Sequence, residues 1–314
     1  MYLVCGEALF DFFSEDDVSG LASTVNFKAI AGGSPFNVAV GLRRLGVASA
    51  LFAGLSSDYL GRRLQQVLQD EGVSPDYLVE FSAPTTLAMI AVGADGSPHY
   101  SFRGEGCADR QLKPEHLPAL GPEVRGLHIG SFSLVVQPIA DTLRALVRRE
   151  SGQRLISLDP NVRLNPEPNI ELWRSRIAEL VEHADLIKVS NEDLSLLYPE
   201  QDPQRVIEGW LEHRCQLVFL TRGGEGATVF SKHHGSWSVP ACSVKMADTV
   251  GAGDTFQAAL IAWLTERQLD SVEGVQRLSH EQIDEMLRFA VQAAALTCSK
   301  IGPDLPYRHQ LEMC

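Results

Sequence analysis

The chain predicts an α/β fold: a doubly wound, mostly parallel sheet with a small β excursion beside it. Three observations predict it. Short β-rich apolar runs alternate along the chain with well-marked helical segments. Those runs lack a polar face, as strands covered on both sides do. One hairpin and one irregular strand-like segment then break the alternation. With 314 residues and 45% apolar side chains, there is enough core for one large α/β domain or two modest ones.

Taken in order, Tyr2–Leu9 reads as the first buried strand, and the acid Asp11 follows at its end. The segment Phe12–Ile30 is irregular and strand-like, with an acidic tip at Glu15-Asp16-Asp17 that suits a solvated turn. Pro35 to Leu45 is a helix: Pro lies in its first turn, Val38, Leu42 and Leu45 form a stripe, and Gly46 stops it. Ala50–Leu55 is the next strand. Leu87–Val92 and His99–Arg103 flank the turn Gly93-Ala94-Asp95-Gly96-Ser97 and predict a β-hairpin. Arg125–Gly130, Arg154–Leu158, Asp185–Val189 and Gln216–Thr221 continue the parallel series. Ser279 and Gln282 form a capping box for a last helix whose inner face carries Ile283, Leu287, Ala290 and Ala294.

The net charge of −13 argues against nucleic acid or an anionic membrane as the main partner. It also requires that any polyanionic substrate be held by local devices: helix ends, a few Arg or Lys, and a divalent cation. The six cysteines have no paired spacing and read as reduced thiols of a cytosolic protein. The amino terminus lacks the basic region of a signal peptide, and no apolar run reaches membrane-span length.

The most specific segment is Asp248-Thr249-Val250-Gly251-Ala252-Gly253-Asp254, which runs into the helical pattern Phe256, Ala259, Leu260, Trp263, Leu264. Glycines at a helix N-terminus make an anion site from unpaired N–H groups and the helix dipole. Asp254 is either a helix cap or a carboxylate with a task there, such as taking a proton from an attacking hydroxyl. Ala31-Gly32-Gly33-Ser34-Pro35-Phe36-Asn37 places a second glycine pair before a helix, and Asn37 could hold sugar hydroxyls. Asp159-Pro160-Asn161-Val162-Arg163, Lys188-Val189-Ser190-Asn191 and Thr221-Arg222-Gly223-Gly224-Glu225-Gly226 close further strands at the carboxyl edge, where open α/β sheets bind ligands.

In this order and spacing, Gly32-Gly33-x-x-x-Asn37 and Asp248–Asp254 resemble the two signatures of the ribokinase-like, or phosphofructokinase-B, sugar kinases. The similarity spans essentially the whole chain. Gly-Glu-Ala-Leu-x-Asp-Phe at 6–12, Gly-Gly-Ser-Pro-Phe-Asn at 32–37 and Asp-Pro-Asn-x-Arg at 159–163 resemble the bacterial fructokinase branch. The resemblance implies a three-layer α/β/α sandwich: a single ribokinase-like domain over 1–314 whose β-lid comes from about 12–31 and 86–104. It implies that Asp254 is the base and that Gly251, Ala252 and Gly253 supply N–H groups to the transferred phosphoryl group. Asp11, Gly33 and Asn37 would bind sugar hydroxyls, and Arg103 on the lid would meet the substrate. Arg163 would lie near sugar or phosphate, or else order the site through a carboxylate. Thr221, Gly223 and Gly226 match a turn near the nucleotide, and Asn191 an Asn near its phosphates.

The implied co-substrates are ATP with Mg2+ and a small-molecule sugar, with a monovalent cation such as K+ left open. The metal ligands are not assigned, because Leu194 stands where the family's Asn-x-x-Glu motif has Glu. Val291 likewise replaces an Asn near the adenine, and Phe102 a Tyr before the lid Arg. Unpaired lid edges make a homodimer through the lid a reasonable expectation.

Other sites are excluded. The nine histidines have no zinc spacing, Ser131 and Ser133 lack a nucleophile elbow, and the first strand is not followed by Gly-x-Gly-x-x-Gly. The implied activity is an ATP-dependent sugar kinase of the cytoplasm, with fructose as acceptor. The alternatives are 2-keto-3-deoxygluconate or another ketose or pentose, and a non-catalytic sugar- or nucleotide-binding sensor. An intact Asp254 with both glycines counts against the sensor, since a pure binder needs no base there.

Overall fold

A computed structural model describes residues 1–14, 23–92 and 98–311. The acidic tip at 15–17, the hairpin turn at 93–97 and Cys314 lie outside the described residues. The chain opens with β1 (Tyr2–Cys5), β2 (Leu9–Ser14) and β3 (Phe27–Gly32), then α1 (Ser34–Arg44), β4 (Ser49–Ser56) and α2 (Tyr59–Asp70). Next come β5 (Leu78–Phe81), β6 (Leu87–Val92), β7 (Pro98–Arg103), β8 (Gly126–Gly130) and α3 (Ile139–Glu150). The second half runs β9 (Leu155–Asp159), α4 (Ile170–Val181), β10 (Leu186–Ser190), α5 (Asn191–Leu197), α6 (Pro203–Glu212) and β11 (Leu217–Thr221). It ends with β12 (Ala227–Ser231), β13 (Gly235–Val239), α7 (Ala252–Glu266), α8 (Val272–Gln276) and α9 (His280–Cys298).

Among the described residues, nine strands form one sheet in the order β13-β12-β11-β10-β9-β8-β1-β4-β5. From β11 to β5 every pairing is parallel, while β12 and β13 add an antiparallel edge. A second sheet has the order β3-β2-β6-β7. Alternation along β1 shows how the large sheet is covered: Tyr2 and Val4 join a core with α1, α2, α7 and α9. Leu3 and Cys5 join the opposite core with α3, α4, α5 and α6. Burial on both faces explains why these strands carry apolar residues throughout.

Two expectations require correction. The run Tyr2–Leu9 is not one strand: β1 stops at Cys5, and Leu9 begins β2 of the small sheet. Gly6, with φ of 146°, sits at the break between them. Asp11 therefore lies within the small sheet rather than at the end of the first strand, paired with Ile30 on one side and Ala88 on the other. The edge strands β12 and β13 also escape the sequence reading, because the polar turn Lys232-His233-His234 separates two short runs that carry polar residues of their own. The Ser279–Gln282 capping box forms as the sequence predicts, with Ser279 Oγ accepting from Gln282 N–H and Gln282 Oε1 from Ser279 N–H.

Candidate active site

Strand order reverses at β1: the chain first adds β4 and β5 on one side, then returns to β8 on the other. Such switch points open a crevice at the carboxyl ends of the strands. Here it is a cleft of about 1560 Å3 running from the small sheet to the turn after β11, large enough for two substrates side by side.

Helix α7 brings its amino end to this cleft. Gly251 is its N-cap with φ of 80°, a left-handed turn that favours glycine and swings the chain into the helix. First-turn amides lack intrahelical acceptors and therefore face outward. Ala252 is a partial exception among the residues assigned to phosphoryl binding: its N–H already donates to the Thr249 carbonyl at 3.2 Å. Gly251 and Gly253 are better placed to give their amides to an anion.

Asp254 follows in the first turn and is buried, with 8% of its surface exposed, yet it lines the cleft. Ser34 Oγ donates to Oδ1 at 2.6 Å, and Asn37 Nδ2 donates to Oδ2 at 2.8 Å. Both donors sit on the first turn of α1, which packs along α7. Burial raises the carboxyl's pKa above its ordinary value, while these hydrogen bonds and the charges of Lys188 and Arg163 act in the opposite direction. Two fixed donors still leave lone pairs open, so the group can accept a proton from a neighbouring hydroxyl. Asn37 thus orients the carboxylate in this structure through the amide that the resemblance assigns to sugar.

Asp11 lines the same cleft from the small sheet, and burial pushes its carboxyl up to about 6, with the Asp254 charge adding and Arg163 opposing. Gly33, the N-cap of α1, lines the same cleft. Arg163 is exposed at the cleft wall, where its charge favours the ionised forms of Asp11 and Asp254. The far half of the cleft carries Asn191 in the first turn of α5, Thr221 at the end of β11, and Gly223 and Gly226 in the following turn. Its floor is apolar, with Val291 and Ala294 on α9.

Arg103 stands apart. It is exposed at the end of β7 and does not line the cleft. Successive strand residues face opposite ways. Phe102 turns inward and packs edge-on against Phe132 at 5.3 Å, which sends Arg103 outward.

The sequence reading gave no role to four side chains of this site. Ser34 holds Asp254; its position directly after the glycine pair, where α1 begins, was the available signal. Glu7 is buried yet lines the cleft, accepts from Ser133 Oγ, and is pushed by burial to about 7. Lys188 and Asp159 form a buried ion pair at 2.9 Å. A lysine inside an apolar strand such as Leu186–Ser190 was the clue to that pair. Asp193, beside Leu194, accepts from Val162 N–H, Ser190 N–H and Ser190 Oγ–H and closes the capping box of α5.

A switch-point cleft with a buried carboxylate at a glycine-rich helix end defines a phosphotransferase site on a ribokinase-like fold. The chain belongs to the pfkB family of carbohydrate kinases, which it matches over residues 1–310. It is 36% identical to a fructokinase of Rhizobium leguminosarum bv. trifolii over 279 residues, covering 87% of this chain and 84% of that one. A crystal structure of fructokinase from Xylella fastidiosa with bound ATP superposes with a TM-score of 0.90 at 29% identity, covering 99% and 97% of the two chains. A fructokinase double mutant from Vibrio cholerae O395, bound to fructose, ADP and potassium ion, gives 0.83 at 25% identity, covering 99% and 97%.

Proposed function

We propose that the chain is an ATP-dependent fructokinase that converts D-fructose to fructose 6-phosphate. One observation carries the chemistry: Asp254 is buried at the amide end of α7, held by Ser34 and Asn37, and open to the cleft. Fructose as acceptor is supported by the relatives, which bear the name fructokinase.

In this reading Asp11, Gly33 and Asn37 fix the sugar so that its hydroxyl points at Asp254. The hydroxyl oxygen bonds to the γ-phosphorus, its proton passes to Asp254, and the bond to the bridging oxygen breaks to release ADP. Such transfer depends on alignment and charge stabilisation more than on covalent chemistry by the protein. The amides of Gly251 and Gly253 meet charge on the moving group. Asn191, Thr221, Gly223 and Gly226 line the nucleotide half. Among the described residues, no group of three or more His, Cys, Asp or Glu is placed to hold a metal alone. Asn191 and Glu192, which line the nucleotide half of the cleft, are the oxygen-bearing side chains that would hold a Mg2+ there. That ion supplies charge neutralisation when bound.

The chain reads as a single domain over 1–314 with a lid from about 12–31 and 86–104, and Leu9 to Phe12 belongs with that lid through β2. Closure of this sheet would exclude water and bring Arg103 toward the sugar. Exposed Val25 and Phe27 lie at the β3 edge and support pairing of two chains there, which light scattering tests directly. No described helix is long and apolar enough to cross a membrane, and the unpaired described cysteines suit a reducing cytoplasm.

ADP release measured across ketoses, aldoses and keto-acids tests the assignment. Fructose should give the highest kcat/KM. A higher value for 2-keto-3-deoxygluconate or a pentose would move the assignment to that sugar, and turnover of none would leave a binding protein. Repeating the assay in K+ and Na+ salts decides the monovalent-cation requirement.

A further inference from the structure

Glu7 is a buried carboxylate for which the proposed reaction has no use, although it lines the cleft with 1% of its surface exposed. It lies between β1 of the large sheet and β2 of the small sheet, where the chain crosses from one to the other. The return crossing, from β3 to α1, packs directly on it: a Cβ built on Gly33 would stand 2.9 Å from the Glu7 carbonyl oxygen. One built on Gly6 would stand 2.5 Å from Pro35 Cγ and 3.2 Å from Ser133 Oγ. The two crossings therefore meet at glycines, with no room for a side chain at either contact.

The Glu7 side chain ties this junction to the large sheet. Ser133 Oγ donates to Oε2, and the Ser131 side chain and the Glu7 main chain also favour the ionised carboxyl. Both serines follow β8, and Ser131 holds a φ of 61°, a left-handed turn rare outside glycine. Between them Phe132 lines the cleft and meets Phe102 of β7 edge-on at 5.3 Å. One carboxylate thus grips the start of the small sheet, the turn at Gly33 and the segment that holds Phe102 inward. The placement is costly. Among the described residues its bonds come from hydroxyls and main chain rather than from a cation, and Asp109, facing it from the segment after β7, opposes its charge. Burial pushes the carboxyl to about 7, so above that pH it is ionised and accepts from the serines.

We propose that Glu7 is a positioning residue for the sugar: its grip on Ser131 and Ser133 fixes the junction of the two sheets so that Asp11, Gly33 and Phe102 stand against the acceptor. The inference rests on the sugar-kinase reading. Asp11 follows in β2, Gly33 touches Glu7 itself, and Phe102 is reached through Phe132. Glu7 takes no proton from either substrate; it holds the residues that meet one of them. The nucleotide half of the cleft hangs from α5 and from β11, across the sheet from β1. Loosening Glu7 therefore weakens sugar binding and spares ATP.

The test compares steady-state kinetics of the wild-type enzyme, Glu7→Gln, Ser133→Ala and the double variant at about pH 8, on the sugar that the wild type phosphorylates fastest. Glu7→Gln keeps the volume and removes the charge. It should raise the sugar KM ~10-fold while kcat and the KM for ATP stay within about threefold. Ser133→Ala should raise the sugar KM ~3-fold, and adding it to Glu7→Gln should cost little more, because both remove the same contact. A purely structural carboxylate would instead impair both substrates together. Should Glu7→Gln not fold, Ser133→Ala decides by the same split between the two KM values. An unchanged sugar KM in the folded variants, a matching rise in the KM for ATP, or effects that simply add in the double variant overturns the inference alone. A wild type silent on every sugar overturns the kinase reading and this inference with it.

Discussion

The two sheets of this molecule meet at one cleft but are built on opposite principles. In the large sheet β1, β4, β8 and β9 are buried along their whole length, with packed helices on both faces. The small sheet grades from buried to exposed: β3 runs from exposed Phe27 to buried Gly32, and β2 is only half-buried beyond Phe10. The difference matters for mechanism. The groups that the proposed reaction needs fixed, Asp254 and the glycine turn, hang from helix α7, which packs on the large sheet. The group expected to move with the sugar, Asp11, hangs from the sheet with less burial to hold it. Rigid interiors hold geometry, and sparsely packed elements are the ones free to open.

The largest effect expected from this contrast is on stability. Phe219 on β11 is fully buried and packs edge-on against Phe256 of α7 at 6.1 Å. Phe219→Ala should cost ~3–5 kcal/mol in denaturant unfolding. A cost below about 1 kcal/mol would mean that the sheet does not brace the helix. Next is the chemistry: Asp254→Asn should reduce kcat by ~10² or more with sugar binding preserved in calorimetry. Wild-type turnover in that variant would end the assignment of the base.

A smaller and different loss is expected at the small sheet. Asp11→Asn should raise the sugar KM ~10- to 100-fold with kcat little changed. A fall in kcat alone would instead place Asp11 with the fixed groups. The pH profile sharpens the same division. Burial raises the Asp254 carboxyl and pushes Asp11 up to about 6. Both act as acceptors only when deprotonated, so kcat/KM should fall as pH drops below about 6, rather than near the ordinary carboxylate range. An acid limb at about 4 would show that neither group controls the rate. The smallest effect belongs to the lid edge, where Phe27 is 36% exposed and touches Phe12 at 6.1 Å. Phe27→Ser should change stability by no more than ~0.5 kcal/mol. If the lid pairs two chains, light scattering should still show the loss of that pairing.

Much of this architecture was legible in the sequence. The continuous apolar runs identify the central parallel strands, because burial on two faces leaves no polar face to read. The capping box at Ser279 and Gln282 and the glycine turn before α7 announce helix starts, because caps are local chemistry. The glycine turn before Asp254 was legible for the same reason: Gly251, Gly253 and the start of α7 are near neighbours along the chain.

What escaped depends on contacts across long stretches of chain. Nothing local ends β1 at Cys5 and hands Leu9 to another sheet; the pairing of β2 with β3 and β6 decides that. The Ser34 and Asn37 bonds to Asp254 join residues 220 and 217 positions apart. Arg103 was placed by a motif, but the inward packing of Phe102 against Phe132 decides which way it points. The sequence alone determined the fold class, the helix ends and the carboxylate with its glycine turn, since propensity, periodicity and capping act over a few residues. Only the tertiary structure decided what stands around that carboxylate, Ser34, Asn37 and Lys188 paired with Asp159, because burial and through-space charge exist only once distant segments have packed.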